Sequence, residues 1–174
     1  MRADSDFHGL EDTFGGRLGY TVDDSHSGYN ALRHHLLPYF RQRDAKLYRQ
    51  SVGPLTTPRR VIDALLAGTI DVGPLDGYAL DLMRHHQPEL VSQIRVVAIT
   101  DPAPIPFLVA SPGCPEEIVS GLRETLATFA GAPACASLRD RLRLDAFTPV
   151  AVEDYDLMIR WDAEAHEAGY PQPA

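Results

Sequence analysis

The sequence predicts an α/β protein in which helices pack on a parallel sheet. Strand-like apolar runs and helical periodicities alternate from residue 17 to residue 86, and the loops between them are short. Apolar residues make up 44% of the chain and charged residues 23%, which is typical of a globular protein and argues against wholesale disorder. Alternating strands and helices with short connections favour parallel strands joined by right-handed crossovers.

The first part of the chain predicts three strands, each followed by a helix. The predicted strands cover 17–22, 46–52 and 70–75, and the predicted helices cover 28–37, 58–67 and 77–86. Pro38 is expected to end the first helix, because a helix interior tolerates proline poorly. Thr57 is expected to cap the second helix at its N-terminus, with Pro58 in the first helical position.

The second part of the chain is expected to be mainly helical. The run 94–100 is the strongest strand candidate of the whole sequence, and 107–110 is a shorter extended run. Between them, 101–106 contains three prolines and cannot pair as a central strand. Further helices are expected over 115–130, 134–144 and 152–168. The change in composition at 101–106 predicts a boundary between a domain 1–100 and a second segment 101–174.

Composition and charge exclude several classes of function. The net charge is −8 and no basic stripe occurs, so nucleic acid is not an expected partner. No apolar run is long enough to cross a bilayer, and the N-terminus lacks the apolar core of a secretory signal. The chain as written would therefore stay in the cytoplasm unless an export segment has been removed or left out.

The two cysteines, Cys114 and Cys135, are too few for a disulfide framework or a zinc site. Unpaired thiols are the preferred interpretation, and a single bridge remains open for an exported protein. The adjacent pairs His34-His35 and His85-His86 lack the spacing of a helical metal clamp. Neither a P-loop nor a Gly-x-Gly-x-x-Gly motif occurs, and we expect no metal and no cofactor.

The loop before the first helix, residues 23–30, carries the most chemistry. It joins the C-terminal end of a strand to a helix N-terminus, where open α/β sheets bind ligands and where backbone N–H groups attract anions. Ser25 and Ser27 add hydroxyl donors, His26 is a further donor, and Gly28 allows close backbone approach. The alternative is that this is only a helix cap, in which Ser27 satisfies the first turn.

Two more polar positions are expected at the same edge of the sheet. Asp76 follows the third strand directly, and Thr57 lies at the start of the second helix, where Arg59 or Arg60 would supply positive charge. A carboxylate at Asp76 can accept from a hydroxyl, an amine or a protonated oxyanion of a ligand. For Asp76 an N-cap without a ligand is an equal interpretation, and arginines in a first helical turn, such as Arg59 and Arg60, more often point to solvent.

Three motifs in order make the chain resemble the phosphate/phosphite/phosphonate substrate-binding proteins of ABC transporters. The first is the acidic-Ser-x-Ser-Gly-Tyr loop in 22–30 (VDDSHSGYN). The second is the helix end, short strand and aspartate in 66–76 (LAGTIDVGPLD), and the third is the proline-rich crossover in 100–106 (TDPAPIP). The resemblance implies a type 2 periplasmic binding protein fold. The chain would supply the parallel-sheet lobe and the C-terminal helical portion of the other lobe, and would lack most of that first lobe.

The resemblance also implies a function and its residues. The chain would be the solute-binding component of an ABC-type importer in the periplasm, capturing a small oxyanion without catalysis and docking on a transporter permease. The residues expected to hold the ligand are Ser25, His26, Ser27, Gly28, Tyr29, Thr57 and Asp76. With one side of the cleft missing, weak or absent binding is expected.

Three alternatives to that function remain open at this point. The first is a ligand-sensing regulatory domain of the same fold, and the second is a truncated fragment that binds nothing. The third is an enzyme acting through Ser25 and His26. The sequence disfavours it because the flanking glycines of a nucleophile elbow are absent and adjacent residues pair poorly as nucleophile and base.

Overall fold

The computed structural model describes residues 1–43 and 45–174. These residues form two compact units, the first made of Met1–Ala103 with Asp156–Ala174 and the second of Pro104–Tyr155. Within the described ranges, the strands and helices are β1 (Arg17–Gly19), α1 (Ala31–Arg43), β2 (Gln50–Val52), α2 (Pro58–Leu66), α3 (Gly77–His86), α4 (Pro88–Val91), α5 (Glu116–Thr128), α6 (Ala136–Leu142) and α7 (Asp156–Glu167). A π-helical turn, His26–Asn30, leads directly into α1. The assignment of units to lobes stays a prediction.

The sheet of the first unit is parallel and small. β1 pairs with β2 in the register Arg17↔Gln50 to Gly19↔Val52, and Leu18 forms a further parallel bridge to Val72. The predicted parallel arrangement of three strands is therefore confirmed, with β1 in the middle. The regular pairing is shorter than predicted, because the chain turns away into loops after Gly19 and Val52 and the third strand contributes only the Val72 bridge.

Two apolar clusters hold the first unit together. One buries Leu18, Leu36, Leu47, Tyr48 and Tyr170 between the sheet, α1 and the C-terminal tail. The other joins α2 to the sheet through Val61, Leu65 and Ile70, each at most 1% exposed. The helical spacing of three and four residues on α2 predicted this buried face, and burial of each aliphatic side chain contributes about 1.5–3 kcal/mol.

An ion pair joins the start of β1 to the third strand. Asp71 Oδ2 accepts from the backbone N–H of Arg17 at 2.7 Å, and the guanidinium donates to both carboxylate oxygens at 2.8 and 3.1 Å. The hydrogen bonds from Arg17 lower the pKa of Asp71 below its usual 3.8. Asp71, the first of the two aspartates in the second motif, is thus a structural residue that fixes the register of two strands.

The Asp71→Asn variant should lower the free energy of unfolding by about 1–2 kcal/mol, because it removes charge-assisted hydrogen bonds and leaves neutral ones. Urea unfolding at neutral pH measures the loss. Asp63→Asn is the control, since its partner Arg59 and Asp63 are both more than half exposed. Equal effects of the two substitutions would contradict the role given to Asp71.

The prediction that Pro38 ends the first helix is wrong. α1 continues through Pro38 to Arg43. Pro38 is exposed, so the helix carbonyl that loses its N–H partner there can bond to water. Beyond the proline, Tyr39 packs edge-on against Phe14 and Phe40 stacks on Tyr170 at 4.5 Å, and this packing keeps the last turn helical.

The predicted strand over 94–100 is also wrong. Ile94 forms an antiparallel bridge to Arg2 and Arg95 exchanges backbone hydrogen bonds with Met1, but 96–100 form no ladder with any described residue. Ile99 is 86% exposed, and Val97 only flanks the larger cluster. A run rich in β-branched residues becomes a strand only where a neighbouring strand accepts its hydrogen bonds. The short helix α4, which the sequence analysis did not predict, lies directly before this run.

The second unit, all of whose residues are described, is helical around short turns. α5 and α6 confirm two of the predicted helices, and α5 begins after Pro115 with two acidic residues in its first turn. Phe129 packs edge-on against Phe147, and Arg139 donates to the carbonyls of Phe129 and Ala132. Cys114 and Cys135 are free thiols. Among the described helices of both units, none is long and apolar enough to cross a membrane.

Candidate functional site

The loops that follow β1 and β2 meet at one edge of the sheet. After β1, the carbonyl of Tyr20 accepts from Leu55 N–H at 3.0 Å and the carbonyl of Thr21 accepts from Thr56 N–H at 3.0 Å. Thr21 N–H in turn donates to Gly28 at 3.3 Å. These bonds bring the loop 22–28, the loop 53–57 and the end of β1 together, as the parallel sheet predicted.

Ser25 caps the helical segment at this edge. Its backbone is extended, and its Oγ accepts from Gly28 N–H at 3.0 Å, while its carbonyl accepts from Asn30 N–H at 3.1 Å. The N-cap is therefore Ser25, two residues before the expected Ser27, because the helical segment begins at His26. One capping bond uses only part of a hydroxyl, which keeps a second acceptor position and its own hydrogen. Ser27 lies half-buried in the first turn, where helix N–H groups lack intrahelical acceptors.

Gly28 is enclosed by Thr21. A Cβ on Gly28 would lie 1.7 Å from Thr21 Oγ1 and 2.8 Å from its Cβ, so no other residue fits without a shift. Thr21 is 6% exposed, and its Oγ1 has no hydrogen-bond partner among the residues that the structure describes. The sequence analysis explained Gly28 by approach to a ligand and did not single out Thr21; the structure gives the close packing of the two residues as a separate reason for the glycine.

His26 turns toward the C-terminal helix. Its ring stacks on Trp161 with centroids 5.4 Å apart, and Asn30 Nδ2 lies 3.4 Å from its Nδ1. Trp161 also stacks on His34, at 4.2 Å and nearly parallel. The fold thus brings Trp161, on the last helix, beside the predicted ligand loop.

Tyr29 makes core contacts. It is buried, its hydroxyl donates to the carbonyl of Pro171 at 3.0 Å, and the guanidinium of Arg33 lies 4.9 Å from the centre of its ring. The aromatic edge of Tyr20 packs against it with centroids 5.3 Å apart. These contacts tie the predicted loop to the C-terminal tail, and a role of Tyr29 in ligand binding stays a prediction.

Thr57 and Asp76 both cap helices, as the alternative interpretation foresaw. Thr57 Oγ1 accepts from Arg60 N–H at 3.3 Å at the start of α2, and Asp76 Oδ1 accepts from Ala79 N–H at 2.8 Å at the start of α3. Three helical segments thus begin after the three strands of the sheet, and the positive ends of their dipoles favour an anion.

The loop before α2 contains a strained residue and an arginine that sequence reasoning did not separate from its neighbour. Thr56 adopts a left-handed φ of 65°, which is unfavourable for a β-branched residue, and its Oγ1 accepts from Arg60 Nη1 at 3.2 Å. Arg59 instead pairs with Asp63 at 2.9 Å. Of the two candidate cations, Arg60 is the one whose guanidinium contacts the loop. The spacing of four residues between Arg59 and Asp63 is the local pattern that could have distinguished them.

Stability should fall below pH 6.5, because two half-buried histidines have lowered pKa values. Burial, reinforced by nearby His34, lowers the pKa of His26, and burial likewise lowers that of His35 although Asp101 opposes it. The unfolded chain therefore binds protons between the folded pKa values and 6.5 where the folded protein does not, so the free energy of unfolding decreases as pH drops through that window.

Urea unfolding at several pH values on either side of 6.5 measures this decrease. His26→Gln should reduce the pH dependence, whereas the same substitution at the exposed His85 should leave it unchanged. A wild-type stability that stays flat across the window, or rises as pH falls, would contradict the buried neutral state of His26.

Comparison with solved structures identifies the fold. XAC2383 from Xanthomonas citri bound to chloride ion matches with a TM-score of 0.61 and 22% identity, over 97% of this chain and 64% of that one. The same protein bound to ATP matches with a TM-score of 0.56 and 22% identity, over 97% of this chain and 65% of that one. The fold, a mixed α/β arrangement with a small parallel sheet, is that of a periplasmic binding protein.

The sequence also matches a known family over residues 1–155. The chain belongs to the phosphonate-binding family of ABC transporter periplasmic substrate-binding proteins. No curated protein matches the chain. The chain spans less than two thirds of the length of the solved structures described above.

Proposed function

We propose that this chain is the solute-binding part of an ABC-type importer and captures a small oxyanion such as phosphate, phosphite or a phosphonate, without catalysis. Its family consists of periplasmic substrate-binding proteins, which supports the periplasm as its location and a transporter permease as its partner. The observation that supports an oxyanion as the ligand is that the end of β1 bonds to both the Ser25-capped turn and the loop before Thr57.

The capture works by replacing the hydration shell of the anion. The N–H group of Ser27 in the first turn and the hydroxyls of Ser25, Ser27 and Thr57 would donate to the oxygens, and the helix dipole adds a favourable field. Asp76 would accept from a protonated oxygen or an amine of the ligand, because its carboxylate repels an oxygen that carries a full negative charge. The overall charge of −8 does not prevent this, since the ligand responds to the local field.

The contacts of Ser25 and His26 support capture over acyl-transfer chemistry. The hydroxyl of Ser25 accepts from Gly28 N–H, and the ring of His26 stacks on Trp161. A nucleophile and its base need to face each other within hydrogen-bond reach, and these contacts direct the two side chains to different neighbours.

An NMR titration of the isolated chain with methylphosphonate, phosphite and phosphate tests the proposal. Because millimolar affinity is readily measured by this method, weak binding by a chain that spans only part of its relatives remains visible. We expect the largest shifts at the amides of Ser27, Gly28 and Thr57. Shifts absent from these amides at saturating ligand, or centred on another surface, would overturn the proposed site.

A pair of serine variants sharpens the test. Ser27→Ala should weaken methylphosphonate binding about tenfold, the effect of one hydrogen bond to a charged group. Ser92→Ala is the matched control, because the Ser92 hydroxyl donates to Glu89 O in an exposed turn outside the proposed site. Equal affinities of both variants and the wild type would exclude Ser27 as a ligand donor.

A further inference from the structure

The C-terminal helix α7 contacts the π-helical turn and the start of α1 at three points. Trp161 stacks on His26 at a centroid distance of 5.4 Å. Asn30 Nδ2 donates to the carbonyl of Met158 at 2.8 Å. One turn further along α1, the guanidinium of Arg33 forms an ion pair with Asp162. The turn that contains Ser27 and Gly28 is therefore held from outside by a helix far away in the sequence.

The ring of His26 packs between Trp161 of α7 and the side chain of Asn30 in the turn. Its Nε2 is buried without a hydrogen-bond partner among the described residues, and its Nδ1 faces the side chain of Asn30. Asn30 itself supplies the N–H that closes the π-helical turn on the carbonyl of Ser25. Trp161, His26 and Asn30 thus form a continuous set of contacts from α7 to the backbone that the ligand is proposed to meet.

We infer that Trp161 is a positioning residue for the proposed anion site: its stack on His26 holds the Ser25–Asn30 turn in the conformation that presents the N–H group and the hydroxyl of Ser27. The inference rests on the proposed function for its consequence in binding, but the ordering of the turn by Trp161 is independent of any ligand. Preorganised donors bind more tightly because less ordering remains to be done on binding.

Amide hydrogen exchange without ligand tests the ordering. The amides of Gly28, Asn30 and Ala31 all donate within the turn and report its opening. Trp161→Leu should speed their exchange about three- to tenfold, the range expected for loss of one aromatic pair, whereas Trp161→Phe should restore slow exchange. Ile159→Ala, at a 71% exposed position of the same helix, is the control.

The exchange of amides in the core distinguishes local opening from general destabilisation. Exchange at Leu18, which lies in the fully buried centre of the sheet, should stay unchanged in Trp161→Leu. Equal acceleration at Leu18 and in the turn, or no acceleration in the turn, would overturn the inference. His26→Leu provides the second variant: because both substitutions remove the same stack, the double variant should open the turn no more than either single one, and additive effects would refute the route through His26.

Methylphosphonate affinity tests the consequence for binding. Trp161→Leu should weaken binding about three- to tenfold and Trp161→Phe should restore it. Slow amide exchange at Leu18 verifies that both variants are folded. If the wild type binds no ligand, the proposed function fails while the exchange result still decides whether Trp161 orders the turn. Wild-type affinity in a Trp161→Leu variant with a loosened turn would refute positioning for binding.

Discussion

Replacing Gly28 with alanine is expected to destabilise the protein by about 3 kcal/mol, the upper end for overpacking a well-packed site. The added methyl group would lie 1.7 Å from Thr21 Oγ1, 2.8 Å from its Cβ and 2.9 Å from its Cγ2. Thr21 has little freedom to yield, because it is buried and its backbone bonds both to Gly28 and to Thr56. Chemical unfolding of the variant measures the loss.

Two further variants make the Gly28 prediction specific. Thr21→Ala removes the clashing hydroxyl and methyl group, so the Gly28→Ala/Thr21→Ala double variant should recover a large part of the lost stability. Gly77→Ala is the control, since a Cβ at Gly77 meets nothing within 4 Å. A Gly28→Ala variant as stable as Gly77→Ala would show that the turn does not pack against Thr21 as described.

The Asp162→Ala variant should lower the free energy of unfolding by about 2–3 kcal/mol. The Arg33 side chain is only 2% exposed, so loss of its carboxylate partner leaves a buried guanidinium without a countercharge. Breaking a buried ion pair in this way typically costs about 3–5 kcal/mol. The figure here is set lower because Asp162 is 51% exposed and the carbonyl of Pro171 still accepts from Arg33 at 3.1 Å.

The exposed pair of Arg59 and Asp63 provides the comparison for Asp162. Asp63→Ala should change stability by no more than about 0.5 kcal/mol, because an ion pair within one exposed helix contributes little. A double variant, Arg33→Met with Asp162→Ala, should be more stable than Asp162→Ala alone, since it removes the unpaired charge. Urea unfolding of the wild type, Asp63→Ala, Asp162→Ala and the double variant decides the point, and a double variant less stable than Asp162→Ala would contradict the explanation.

The helix starts were predictable from the sequence because each involves residues only three apart. Thr57 and Asp76 cap with their own side chains as expected, whereas the first cap falls on Ser25 and not on the expected Ser27. All three positions carry the small polar residues that favour capping. Pro38 misled the prediction because the packing of Phe40 on Tyr170 outweighs the local effect of proline. That packing joins distant parts of the chain and leaves no trace in the pattern around Pro38.

The candidate site was only partly predictable. The edge of the sheet and its polar loops followed from the parallel strands, but the surroundings of His26 and Gly28 did not. Their neighbours are Trp161 and Thr21, and the bond from Asn30 to Met158 joins residues 128 positions apart. Tyr29, quoted as part of the motif, turned out to bond to Pro171.

Local chemistry in the amino-acid order was enough to define an α/β lobe with capped helices along one parallel edge, because periodicity and capping act within a few residues. The pairing of strands was settled by long-range contacts. Val72 pairs with Leu18 of β1, whereas no described strand lies beside the apolar run after Ile94. The backing of the Ser25–Asn30 turn by α7 likewise exists only in the folded chain, since hydrogen bonds and stacked rings form wherever packing brings their partners together.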